Sequence, residues 1–110
     1  DEVLMGLSRR LRLCVRPTDL VARIGGDEFA LLLQVHPPHH FNRDLCRRIH
    51  AGIVREGIPT SEGNIPVSVS IGARFHTHGQ SLSTVHGLLS LAQENLRQAK
   101  ADGGNRVVAS

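Results

Sequence analysis

Leu20-Val-Ala-Arg-Ile-Gly-Gly-Asp-Glu-Phe-Ala-Leu-Leu-Leu-Gln-Val35 is the stretch on which the fold turns. Leu20 to Ile24 is a short apolar strand signal, and Phe29 to Val35 is a nearly continuous apolar run. Gly25-Gly26 between them permits positive φ and marks a tight β-hairpin. The second run has few polar positions, which predicts a strand covered on both faces.

Upstream, Leu4, Leu7, Leu11 and Cys14 recur at three- and four-residue steps, so residues 2–14 read as an amphipathic helix. Pro17 forbids its continuation. Downstream, His36-Pro-Pro-His-His40 reads as a loop, and Phe41, Leu45, Ile49 and Ile53 describe a second helix ending near Gly57-Ile-Pro59. Ser61 to Asn64 is turn material. Val67, Val69, Ile71, Ala73 and Phe75 alternate with smaller or polar residues, the pattern of a half-buried strand. Thr77 to Ser83 is a polar loop. A third helix follows, capped by Ser83 or Thr84, with Val85, Leu88, Leu89, Ala92, Leu96 and Ala99 on its apolar face. Asp102-Gly-Gly104 ends it, and Arg106 to Ala109 supplies a last short strand. Helices and strands alternate without long gaps, so one sheet with helices packed on it is expected. The first helix needs a sheet face for its stripe, which suggests a strand encoded before Asp1 and makes the chain the later part of one domain.

The 110 residues contain 13 Lys or Arg against 10 Asp or Glu, a net charge of +3. An anionic, nucleotide-like partner is therefore allowed but not demanded. The arginines are scattered, and aromatics are only 3% with neither Trp nor Tyr, which speaks against a nucleic-acid binder that stacks bases. No apolar run approaches the ~20 residues that cross a bilayer, so no membrane contact by this segment is expected. Cys14 and Cys46 read as reduced, mostly buried thiols of a reducing compartment. The pairs His39-His40 and His76-x-His78 lack zinc-site spacing and read as exposed loop histidines.

The chemistry concentrates at Arg23-Ile-Gly-Gly-Asp-Glu-Phe29. Two glycines at a hairpin tip let the backbone approach phosphate oxygens. Two consecutive carboxylates, Asp27 and Glu28, are costly on an apolar strand unless a cation compensates them, and a hard divalent ion would do so. A glycine turn followed by solvated acids is the competing reading of the same residues.

The string Gly25-Gly-Asp-Glu-Phe29 resembles the signature of the GGDEF family of diguanylate cyclases. Other stretches agree in order: Asp1-Glu-Val-Leu4 with the start of the family's helix, Arg16-Pro-Thr-Asp19 with its Arg-x-x-Asp inhibitory motif, Val67-Ser-Val-Ser-Ile-Gly72 with its next strand. Ala99-Lys100 and Gly103-Gly-Asn-Arg106 are similar to its closing segment. The resemblance spans residues 1–110 and implies an α+β, ferredoxin-like βαββαβ sheet of the nucleotidyl-cyclase and polymerase-palm type, its first strand not in this chain. It implies condensation of two GTP into cyclic di-GMP with release of pyrophosphate, in a transient homodimer, with Mg2+ or Mn2+. Asp27 and Glu28 would be catalytic metal ligands, Asp27 also accepting the 3′-hydroxyl proton. Gly25 and Gly26 would let the turn wrap the phosphates, Asp1 would read the guanine edge, and Lys100 would hold the terminal phosphates. Arg16 and Asp19 would form a product-inhibition site, to which Arg48 of the second helix, or Arg47 on a one-residue shift, would offer a secondary arginine for a product dimer. Gly104, Gln93 and Arg97 depart from the family pattern, which has arginine, aspartate and tyrosine there.

The same residues also suit a catalytically silent module that binds cyclic di-GMP or GTP as a receptor, and a generic basic interaction domain is a third reading. A cytoplasmic location is implied, as the output domain of a larger signalling protein, membrane-attached or not. These 110 residues alone are expected not to catalyse.

Overall fold

The computed structural model describes residues 2–35, 40–76 and 82–110. Its elements run α1 (Glu2–Cys14), β1 (Leu20–Gly25), β2 (Glu28–Gln34), α2 (His40–Glu56), β3 (Ile58–Thr60), β4 (Gly63–Ile65), β5 (Ser70–His76), α3 (Leu82–Ala101) and β6 (Val107–Ala109). Of the expected loops over 36–40 and 77–83, residues 36–39 and 77–81 lie outside the described residues, as does Asp1, whereas His40 already belongs to α2 and Leu82 and Ser83 to α3.

A four-stranded mixed sheet has the order β1-β2-β5-β6, and β3 and β4 form a separate two-stranded hairpin. β1 and β2 are antiparallel, whereas β5 runs parallel to β2 on one side and to β6 on the other. The class is α+β, a mixed sheet with three helices, compatible with the expected ferredoxin-like palm arrangement.

Phe29, Leu31 and Leu33 of β2 join Ile71 and Ala73 of β5, Leu7 and Leu11 of α1, and Cys46, Ile49 and Ile53 of α2 in one buried core. The opposite sheet face carries Ala30 and Gly72, paired in register, and α3 lies on it with Ala92, Leu96 and Ala99 buried. β2 is thus covered on both faces, which explains its unbroken apolar run.

Three local expectations are corrected. β5 starts at Ser70, and Ser70 to Ala73 are all buried, so its first half is not half-exposed. The small residues that alternate along it admit α3: a Cβ on Gly72 would collide with main-chain atoms of Ala92 and Leu96. α2 ends at Glu56, beside the expected stop, but the stretch expected as turn is turn only at Ser61 and Glu62: residues 58–60 and 63–65 pair as the β3–β4 hairpin, with strands of three residues, too short for a period to register. α3 already includes Ser83 and Thr84, so neither caps it from outside.

α2 stops at Gly57, whose φ of +67° and N–H bond to Ile53 O make a left-handed helix end. Of the α1 stripe, Leu7 and Leu11 are buried, Leu4 is half-buried and Cys14 is exposed. The helix packs against β3, α2 and β1, and Gly6 lets it close on Ile58. Arg10 reinforces this contact by donating to Gly57 O. At the start of α1, Glu2 accepts from both Ser61 N and Ser61 Oγ, and these bonds hold its carboxyl below the usual range.

Candidate functional site: the Gly25–Glu28 hairpin

Gly25 pairs with Glu28 across the β1–β2 hairpin, which leaves Gly26 and Asp27 as its two-residue tip. The tip is therefore one residue later than the Gly-Gly dipeptide suggested. Neither Gly25 nor Gly26 is among the glycines with positive φ, so space rather than dihedral angle is what glycine supplies here. A Cβ on Gly25 would stand 3.1 Å from Glu28 Oε2. A Cβ on Gly26 would meet nothing within 4 Å, so that side of the turn is open to an approaching ligand.

The main chain fixes the tip in place. Asp27 O accepts from Ser70 N at 3.0 Å, tying the turn to the start of β5. Ser70 Oγ in turn accepts from Asn105 N in the turn after α3, and Asn105 Oδ1 meets His50 Nε2 of α2. Arg23 Nε donates to Gly25 O, so Arg23 flanks the turn from β1. The Asp27 carboxylate itself is exposed and has no partner among the described residues.

Glu28 reaches α3. Its Oε1 lies 2.6 Å from Lys100 Nζ in the last turn of α3. Around this pair is an open cleft of about 330 Å³ lined by Ile24, Glu28, Gln93, Leu96, Arg97 and Lys100. The structure thus brings Gly25, Gly26, Asp27, Glu28 and Lys100 to one corner. Gln93 and Arg97, the two departures noted on α3, line the same cleft, Arg97 also pairing with Glu94. Gly104 stands nearby with φ +73°, its Cβ position 3.3 Å from Ser70 Oγ, a place where arginine would be strained.

Among the described residues no group of three or more His, Cys, Asp or Glu is placed to hold a metal. A hard divalent cation can also take one or two carboxylates and complete its shell with phosphate oxygens and water. Here Asp27 is exposed, whereas Glu28 is half-buried and engaged by Lys100.

Arg16 and Asp19 sit at the opposite end of β1, in the loop after α1. Asp19 Oδ2 accepts from Arg16 N at 2.9 Å and Oδ1 from Gln34 N at 2.8 Å, while Asp19 N donates to Arg16 O. The carboxylate therefore staples this loop to the end of β2. A cleft there is lined by Arg12, Val15, Arg16, Pro17, Asp19 and Val21. Arg48 is exposed on α2 and does not line it. Sequence reading missed Arg12 in this place, although its four-residue offset from Arg16 would have put both at one end of the helix. A wider groove, about 550 Å³, runs along α1 and β1 past Leu4, Met5, Arg9, Arg12, Leu13 and Arg23, so Arg12 borders both clefts.

Cys46 is buried, and burial first, then the charge of Asp19, pushes its thiol up to about 11. Cys14 is exposed, against expectation, because it is the final residue of α1. Desolvation still raises its thiol. His76 belongs to β5 rather than to a loop, and the side chains of His39, His40 and His78 lie outside the described residues. No described helix is long and apolar enough to cross a membrane.

With this geometry in hand, comparison with known proteins finds that the family model described as "Diguanylate cyclase, GGDEF domain" matches residues 1–106. The diguanylate cyclase DgcM of Escherichia coli K12 is 37% identical over 110 residues, covering 100% of this chain and 25% of that protein. YhcK of Bacillus subtilis 168 is 35% identical, covering 100% of this chain and 30% of its own length. The response regulator PleD of Caulobacter vibrioides is 34% identical over 115 residues, covering 98% and 24%. The chain spans roughly a quarter to a third of the length of these curated relatives.

Proposed function

The chain belongs to the GGDEF domain family of diguanylate cyclases, and from that premise we propose that it handles GTP at the Gly25–Glu28 hairpin and condenses two GTP into cyclic di-GMP. The observation that carries this reading is the juxtaposition at one corner of an open glycine turn, two carboxylates and the Lys100 ammonium.

Each half-reaction joins the 3′-oxygen of one GTP to the α-phosphorus of the other and breaks the bond to the β-phosphate, so one pyrophosphate leaves per bond formed. Asp27, exposed at the tip, takes the hydroxyl proton. Gly26, with no side chain and open space beside it, lets the turn lie against phosphate. Lys100 leaves Glu28 and neutralises the terminal phosphates as a point charge. Magnesium or manganese, held by Asp27 and Glu28, would neutralise negative charge on the phosphates. Two copies of the domain face each other for the reaction, each bringing one GTP, and the protein works in the cytoplasm. Product binding at Arg16 and Asp19 supplies feedback, and Arg48 on α2, outside that cleft, offers a secondary arginine to a product dimer.

Turnover of GTP by the full-length protein in the presence of Mg2+ tests the assignment. Asp27→Asn and Glu28→Gln should each lower it by about 100-fold or more. Wild-type rates in both variants would overturn it.

A further inference from the structure

α1 carries Arg12 in its last turn, and four residues later Arg16 opens the loop into β1. Both arginines line the same cleft of about 240 Å³, closed by Val15, Pro17, Asp19 and Val21. Both are exposed, and neither guanidinium has a hydrogen-bond or ion-pair partner among the described residues. The loop beneath them is held by the three bonds that link Asp19 with Arg16 and Gln34, so the cleft is preformed.

The charge balance decides what this cleft can take. Arg16 and Asp19 cancel. The C-terminal end of α1 adds roughly half a negative charge from its unsatisfied carbonyl groups. With those groups alone the cleft would repel an anion. Arg12 reverses the sign, and its planar fork matches a phosphodiester as well as that of Arg16 does.

We propose that Arg12 is the second anion-gripping residue of this cleft, clamping with Arg16 the phosphodiester groups of a cyclic dinucleotide. The identity of the ligand rests on the reading of the chain as a diguanylate cyclase domain; the two-arginine arrangement does not.

The test is calorimetric titration of cyclic di-GMP into the wild-type protein and into Arg12→Ala, Arg12→Lys, Arg16→Ala and Arg9→Ala. Arg12→Ala should weaken binding by at least about tenfold, the loss expected for one charge-assisted contact. Arg12→Lys should recover part of it, keeping the charge without the fork. Arg9 lines only the wider groove on α1. Its removal should change affinity by less than about twofold, the size of a screened long-range effect. Wild-type affinity in Arg12→Ala while Arg16→Ala loses binding would overturn the proposal and leave the family reading intact. Equal losses in Arg9→Ala and Arg12→Ala would reduce it to general charge and overturn it too. No binding by the wild type would refute the cleft as a product site, and binding of a GTP analogue at the hairpin, measured separately, would then show whether the cyclase reading survives.

Discussion

Lys100 Nζ stands 2.6 Å from Glu28 Oε1, joining the last turn of α3 to the first residue of β2. The two side chains are 51% and 23% exposed, so the pair contributes little to folding, about 0–1 kcal/mol. In the nucleotide-binding reading its value lies elsewhere, in a cation held beside a carboxylate until phosphate arrives. Lys100→Ala should therefore change unfolding free energy by less than about 1 kcal/mol while raising KM for GTP by about tenfold or more. Urea unfolding of the domain and steady-state kinetics of the full-length protein carrying the same substitution check both halves. A large loss of stability with unchanged KM would make Lys100 a strut.

Gly72 is where α3 touches the sheet most closely. Because a Cβ there meets main-chain atoms of Ala92 and Leu96, neither of which can move without shifting the helix, Gly72→Ala should destabilise the domain by about 3 kcal/mol or more. Gly26→Ala is the contrast: its Cβ enters open space, and stability should change by less than about 1 kcal/mol. Thermal unfolding of the two variants should separate them clearly.

Cys46 gives the fold a pH limit on the alkaline side. Its thiol is pushed up from 9.0 to about 11, chiefly by burial. Below pH 9 the group is protonated in both states and its burial carries no penalty. Between about pH 9 and 11 the unfolded chain releases the proton and the folded one keeps it, so stability falls as pH rises, by up to about 1.4 kcal/mol per pH unit. Chemical unfolding at pH 8, 9, 10 and 11 should show this decline in the wild type and a shallower one in Cys46→Ala. Parallel curves would assign the decline to other groups.

The long elements were legible because their patterns are long. Leu7 and Leu11, Ile49 and Ile53, and Ala92, Leu96 and Ala99 repeat at helical spacing and lie buried as that spacing requires. The Leu20–Val35 stretch showed the hairpin and the doubly covered strand. Ser70 and Gly72 misled, because small and polar residues in alternation look the same whether they face water or admit a helix. The β3–β4 hairpin was hidden by strands of three residues. At the site, the carboxylates and glycines announced themselves locally. The Glu28–Lys100 pair and the meeting of Arg12 with Arg16 depend on how β2 lies beside α3 and how α1 ends, which no local pattern encodes.

The most direct measurement of nucleotide handling follows backbone amide resonances of the protein during titration with a non-hydrolysable GTP analogue and Mg2+. Saturable shifts at Gly25, Gly26, Asp27, Glu28 and Lys100, lost in the Asp27→Ala/Glu28→Ala double variant, are predicted. Unmoved hairpin amides at high analogue concentration, or the same response in the double variant, would contradict the nucleotide-binding role of this corner.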